Sequence, residues 1–149
     1  MIAAPLLASR SEPLAAGALY LAFAPVCHQE PGRSFSLLGR PWAACHRCSG
    51  IYTGLLAATL LLSAGYLARP AAAASLRLRV AFGLAPMLAD WLLPLAGLWT
   101  NTPPSRFLTG FAFGAMISSL LVPGVAQLMT AAHGRAPATQ AILKQGNRI

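Results

Sequence analysis

Three cysteines and two histidines lie close together in one short polar stretch of an otherwise apolar chain. Cys27 is followed directly by His28, and Cys45 and Cys48 form a Cys-x-x-Cys pair that encloses His46. Thiolates and imidazoles are the ligands that zinc and other thiophilic metals prefer in proteins. The sequence therefore predicts a metal site formed by Cys27, His28, Cys45 and Cys48, with His46 as the alternative to His28.

The same cysteines allow other chemistry. Cys45 and Cys48 have the spacing of a pair that cycles between dithiol and disulfide, and the cation of Arg47 between them favours the thiolate. Three cysteines cannot all pair within one chain, so a disulfide would leave one thiol free. A metal site, a structural or redox disulfide, and unreactive thiols all stay open on the sequence alone.

A second candidate is the acid Asp90, which stands in a long apolar run between Pro86 and Pro94. A carboxylate at the middle of a bilayer costs about 3 kcal/mol on insertion scales. Pro94 cannot donate to the carbonyl of Asp90, and such irregular backbone is tolerated where it faces protein or a watery cavity. We expect a functional pocket here, with Arg47 or Arg106 as counter-charge and these three residues as catalytic candidates; helix packing by a neutral acid is the alternative.

The composition is that of a membrane protein. Of 149 residues, 56% are hydrophobic and only 9% are charged. A helix needs roughly 20 apolar residues to cross a bilayer core of about 30 Å. We predict an all-α bundle of four transmembrane helices at residues 13–28, 50–68, 80–99 and 107–132. The first span is short, and three spans with an interfacial first helix is the alternative.

The basic residues set the predicted orientation. The net charge is +8, but the arginines are spread over loops, which favours a role in topology over nucleic-acid binding. With four spans, the more basic side holds Arg10, Arg69, Arg77, Arg79, Arg135, Lys144 and Arg148. We therefore predict a multi-pass protein of the plasma membrane with both termini cytoplasmic. The segment that holds the three cysteines, residues 27–48, is the cysteine loop and would lie outside. Residues 1–133 would form one domain, and 134–149 a basic flexible tail.

A similar segment occurs twice, as Arg47-x-x-Gly50-x-x-x-Gly54 and Arg106-x-x-x-Gly110-x-x-x-Gly114. Glycines one turn apart allow a neighbouring helix to approach closely, so each pair predicts a helix contact. A cation near a helix N-terminus opposes the helix dipole, so each arginine is expected to face an anion such as Asp90, Glu30 or a phosphate. Snorkelling toward water is the competing interpretation.

These motifs resemble the signature of a small prokaryotic membrane-protein family, domain of unknown function 2085, over about residues 20–120. The first block of the resemblance is Cys27-His28-Gln29, Arg33-Ser34-Phe35, Gly39, Pro41, Cys45-x-Arg47-Cys48, Gly50-Ile51-Tyr52 and Gly54. The second block is Asp90, Asn101, Arg106, Thr109-Gly110 and Gly114. Trp91 replaces a glycine that is common in the family, and Arg106 follows Asn101 by five residues rather than about three. The resemblance implies a membrane protein but no particular reaction.

Two functions of different classes follow from these residues. In the first, the cysteine loop binds zinc or another thiophilic metal beside a pocket formed by Asp90 and an arginine. In the second, the cysteines are only structural, and the protein binds an anionic lipid or isoprenoid phosphate. The anion-binding candidates are Arg33, Arg40, Arg47, Asn101 and Arg106. A structural subunit of a larger membrane complex is a third hypothesis, and whether the protein is an enzyme stays open.

Overall fold

The structure is a computed structural model that describes residues 1–10, 12–65 and 75–146, with side chains described as far as residue 131. Its elements in chain order are α1 (Ala3–Ser9), α2 (Pro13–Phe23), β1 (Ser34–Leu37), β2 (Arg40–Cys45), α3 (His46–Ser63), α4 (Leu76–Leu95) and α5 (Pro103–Gly146). A single 3-10 turn, Pro31–Arg33, precedes β1. The chain is therefore mostly helical, as predicted.

Two of the described helices are long and apolar enough to cross a membrane, namely Leu76–Leu95 and the part of α5 from Pro103 to Ala131. Helix α2 is apolar but only 11 residues long. Helix α3 has 18 residues, but His46 and Arg47 make its first turn polar. Four membrane-spanning helices thus stay a prediction.

The helix limits differ from the predicted spans because local capping sets where each helix begins. The Ser75 hydroxyl accepts a hydrogen bond from the amide of Leu78, so α4 begins at Leu76 rather than near residue 80. Thr102 and Ser105 exchange side-chain hydrogen bonds with each other's amides, a capping box that begins α5 at Pro103. Proline is favoured at this first helical position because its missing N–H has no partner there.

The all-α prediction is wrong in one respect, because the cysteine loop contains a two-stranded antiparallel sheet. Strands β1 and β2 are joined by a two-residue turn in which Leu37 pairs with Arg40. The turn residues Leu38 and Gly39 have φ angles of 53° and 71°. Both values fit the type I′ turn, whose twist matches that of the paired strands. The hairpin places Cys45 at the end of β2, directly before α3.

Gln29 ties the chain after α2 to this hairpin. Its side-chain amide donates to the carbonyl of Tyr20 at 2.6 Å and to that of Ala43 at 3.0 Å. The Tyr20 hydroxyl donates in turn to the carbonyl of Pro41. These bonds hold the segment of Cys27 against the last residues of β2.

The four glycines of the repeated segment form the contact between α3 and α5. A Cβ atom at Gly50 would lie 2.1 Å from the carbonyl oxygen of Phe107, and one at Gly110 would lie 2.3 Å from that of Arg47. Gly54 and Gly114 make the equivalent approaches, at 2.2 Å, to the carbonyls of Phe111 and Ile51. Contacts therefore advance along both helices together, so α3 and α5 are parallel and begin at the same end of the molecule.

Helix α4 runs in the opposite direction to α5. Asp90, near the end of α4, contacts Ser105 at the start of α5. Farther along, Arg79 donates to the carbonyl of Ser119 at 3.0 Å. The antiparallel arrangement brings the end of α4 to the same end of the molecule as the starts of α3 and α5.

Some predictions fall on other parts of the chain. Arg69 and the rest of residues 66–74 lie outside the described residues, as do residues 147–149, including Arg148. The backbone of α5 is helical to Gly146, through most of the predicted tail, while the side chains of His133, Arg135 and Lys144 are not described. The flexibility of residues 134–149 stays a prediction.

Candidate thiol cluster and adjoining cavity

Three separate elements bring the cysteines together. Cys27 follows α2, Cys45 ends β2, and Cys48 lies in the first turn of α3. Their sulfur atoms all lie within 4.8 Å of one another, and all three cysteines are free thiols. The amide of Cys45 donates to the Cys27 sulfur at 3.2 Å. The structure thus places the Cys27 thiol beside the Cys45 and Cys48 pair, which follows it by 18 residues or more in the sequence.

Proximity changes the acidity of two of these thiols. A hydrogen bond from the Cys48 thiol lowers the pKa of Cys45 to about 5. The same hydrogen bond, together with burial, raises the pKa of Cys48 well above its usual range. Sharing of one proton between the two sulfurs thus favours a thiolate in this pair, and the thiolate is the form that binds metals.

Neither histidine joins this cluster. Among the described residues, the group of metal-binding atoms within 4.8 Å of one another consists of the three cysteine sulfurs alone. His28 lines the cavity beside the cluster. His46 is buried with its ring edge-on to Phe35, at 4.4 Å between centroids, and burial lowers its pKa. The structure therefore does not bring the predicted fourth ligand, His28 or His46, to the sulfurs.

Asp90 is the centre of a buried polar network. It is 6% exposed, and its carboxylate forms an ion pair with the guanidinium of Arg47. Its other oxygen accepts a hydrogen bond from the Ser105 hydroxyl at 2.8 Å. Its backbone carbonyl accepts from the Asn101 amide at 3.0 Å. That carbonyl is free to accept because Pro94, four residues later, has no N–H.

The second arginine, Arg106, is held in a different way. Its guanidinium donates through two nitrogens to the side-chain oxygen of Asn101, one of them at 2.9 Å. Asn101 thereby links Arg106 to the backbone of Asp90. Among the described side chains, no carboxylate forms an ion pair with Arg106. Of the two candidate counter-charges, Arg47 pairs with Asp90, whereas Arg106 has no anionic partner within the part of the chain that the structure describes.

A cavity of about 620 Å³ adjoins the cluster. Its polar side contains eight of the predicted site residues, namely Cys27, His28, Arg33, Cys45, Arg47, Cys48, Asn101 and Arg106, whereas Arg40, His46 and Asp90 do not line it. Asp90 instead binds Arg47 from behind the cavity wall. Arg40 lies at the hairpin turn and lines a separate hollow beside Tyr20. The metal and anion candidates thus share one space.

Sequence reasoning missed several residues of this site. Ser105 supplies a hydrogen bond to Asp90, and Met87 and Trp91 form part of the apolar wall of the cavity. The segment from Thr102 to Ser105 carries a signal, because a threonine followed by a serine at the third helical position allows reciprocal capping. Recognising that cap would have placed Ser105 in the first turn of α5, opposite the end of α4.

Fold and site together define a helical protein with two candidate membrane-spanning helices and a three-cysteine cluster at one end. Residues 27–120 match the sequence pattern of the protein family described as "Predicted membrane protein (DUF2085)". The chain therefore belongs to this family, as its motifs suggested. The matched range includes the whole site, from Cys27 to Arg106.

Two archaeal relatives are similar to the chain. An uncharacterized protein of Methanocaldococcus jannaschii is 32% identical over 117 residues, which cover 70% of this chain and 67% of the relative. An uncharacterized protein of Methanothermobacter thermautotrophicus is 33% identical over 98 residues, which cover 66% of this chain and 86% of the relative. No solved structure shows a significant match to the chain.

Proposed function

We propose that this protein binds a thiophilic metal, with zinc as the first candidate, through Cys27, Cys45 and Cys48 at one face of the membrane. The observation that carries the proposal is the convergence of the three sulfurs to within 4.8 Å. Tetrahedral zinc with bonds of about 2.3 Å holds its sulfur ligands about 3.5–4 Å apart, so small side-chain rotations complete the geometry. Two candidates compete for the fourth position, the His28 imidazole and a ligand from the cavity.

Metal analysis of the purified protein tests this proposal. We expect about one zinc ion per chain, because three thiolates in one cluster form a single site. Changing any one cysteine to serine, for example Cys45→Ser, should lower the bound metal at least tenfold, since two thiolates bind zinc far more weakly than three. Ser36→Ala, on the exposed side of β1, is the control and should keep full occupancy. Wild-type protein that purifies without metal, and takes up none from added zinc, would contradict the proposal.

The site is proposed to lie on the outer face of the plasma membrane, in a multi-pass protein with four spans and cytoplasmic termini. Support comes from the parallel packing of α3 and α5 with α4 antiparallel to α5, as three successive crossings require. The excess of basic residues on the opposite side supports the orientation. With α2 as a further crossing, residue 10 and the start of α4 would share the cytoplasmic side.

Cysteine labelling in intact cells tests this topology. In a chain with its own cysteines changed to serine, Ser36→Cys should react with an impermeant maleimide before lysis. Arg10→Cys and Arg77→Cys should react only after lysis, because both lie on the inner side. Labelling of residue 10 from outside, with residue 77 protected, would instead show that α2 does not cross.

Anionic lipid or isoprenoid-phosphate binding is the second candidate function. Its specific support is the cavity itself, where Arg106 pairs with no carboxylate among the described side chains and an apolar wall includes Met87 and Trp91. Under this alternative the cysteines are only structural. Native mass spectrometry of the protein in detergent separates the two, because a co-purifying phospholipid or isoprenoid phosphate without metal would favour the alternative.

A further inference from the structure

We propose that the three-cysteine metal site is open, and that its fourth position binds the sulfur of a small anionic thiol whose acidic group contacts Arg106. This inference rests on the proposed metal site. It assigns the cavity a ligand class, a low-molecular-weight thiol carrying a carboxylate, and it distinguishes the site from a closed structural zinc site.

The first argument is the number of donors. Only three sulfurs occupy the cluster, and among the described residues neither a histidine nitrogen nor a carboxylate oxygen lies within the 4.8 Å group. Zinc sites with three protein ligands keep the fourth position for water or substrate, whereas structural sites have four protein ligands. Because Cys27, Cys45 and Cys48 all line the cavity, the fourth position is open to it.

The second argument is the charge around the cavity. Arg33 is paired with Glu30 at 3.1 Å, and Arg47 is paired with Asp90. Arg106 hydrogen-bonds only the neutral amide oxygen of Asn101 through its guanidinium, within the part of the chain that the structure describes. The Arg106 guanidinium thus faces the same cavity as the three sulfurs and has no anionic partner among the described residues. A negatively charged ligand would supply that partner.

The third argument is the chemistry of the donors. A metal held by three thiolates is suited to a further soft ligand, and a thiol binds such a metal as its thiolate after releasing a proton to water. A carboxylate is the planar partner that a guanidinium binds best. The volume of about 620 Å³ lies within the range of small-molecule sites. A small thiol with a carboxylate is the class that satisfies both groups at once.

Cobalt-loaded full-length protein in detergent provides the test, because Co²⁺ replaces zinc and reports each thiolate by its charge-transfer absorption. We expect 3-mercaptopropionate to increase this absorption while cobalt stays bound. The uncharged thiol 2-mercaptoethanol should bind about tenfold more weakly, the loss expected for one charge-assisted contact. Arg106→Gln should remove that preference, and Arg40→Gln, outside the cavity, should preserve it.

Several results would overturn the inference. An equal spectral change with propionate or with inorganic phosphate would show that the site selects an oxyanion rather than a thiol. No change with either thiol, or release of cobalt by both, would show a closed or weak site. Loss of the tetrahedral spectrum in His28→Ala would identify His28 as the fourth ligand. Failure to bind cobalt at all would instead refute the metal site itself, and this inference with it.

Discussion

Replacing Asp90 with asparagine is expected to lower the free energy of unfolding by about 3 kcal/mol, the cost of leaving one member of a buried ion pair without its partner. The Asp90 side chain is 4% exposed and that of Arg47 is 22% exposed, so water compensates little for the lost charge. Asparagine keeps an oxygen that accepts the hydrogen bond from Ser105. We therefore expect a loss at the lower end of the roughly 3–5 kcal/mol that removing one partner of a buried ion pair costs. Thermal unfolding of the purified protein in detergent measures it.

The chain offers a matched control in its other ion pair. Glu30 and Arg33 are more than half exposed, so Glu30→Gln should change stability by less than about 1 kcal/mol. The double variant Asp90→Asn/Arg47→Gln removes both charges and should recover much of the loss. If the double variant loses as much as the two single variants added together, Asp90 and Arg47 do not act as a pair.

Gly110→Ala is expected to be nearly as damaging, at about 3 kcal/mol, because the new methyl group overlaps a backbone that cannot move aside. Its Cβ would lie 2.3 Å from the carbonyl oxygen of Arg47 and 3.2 Å from the amide nitrogen of Ile51. To relieve this overlap, α3 and α5 must separate along the whole contact. The effect appears as a lower unfolding temperature and as aggregation on size-exclusion chromatography.

Gly124 provides the control within the same helix. Nothing lies within 4 Å of a Cβ atom placed there, so Gly124→Ala should be neutral or stabilise the protein by up to about 1 kcal/mol through helix propensity. Equal damage from the two substitutions would mean that the close approach at Gly110 is not what holds the helices together.

The repeated glycine segment shows how much of this fold the sequence contains. Each pair, such as Gly50 and Gly54, predicted a helix contact, because only small residues allow backbones to approach so closely. The sequence could not show that the two segments contact each other, since the pairing depends on α4 returning the chain to the same end. The hairpin was missed because it is short and its turn begins with Leu38, a residue that seldom adopts a positive φ.

The candidate site divides in the same way. Residue types identified the cysteines and the pairing of an arginine with Asp90, because soft ligands and an acid in an apolar helix are unusual in such a chain. The sequence could not show which arginine pairs with Asp90. Arg47 and Arg106 begin neighbouring parallel helices, so the partner of each guanidinium depends only on which acceptor lies nearer to it. The same holds for His46, whose packing against Phe35 follows from the hairpin.

The parallel contact of α3 and α5 has a further consequence for assembly. The glycine of each helix meets the carbonyl three residues before the glycine of the other, so the helices exchange roles as two copies of one helix do around a dyad. Here both partners belong to one polypeptide, which gives each a high effective concentration near the other. Their association is therefore independent of how far the protein is diluted in lipid. Any self-association of the protein must use a different surface, because this pseudo-dimeric one is already occupied within each chain.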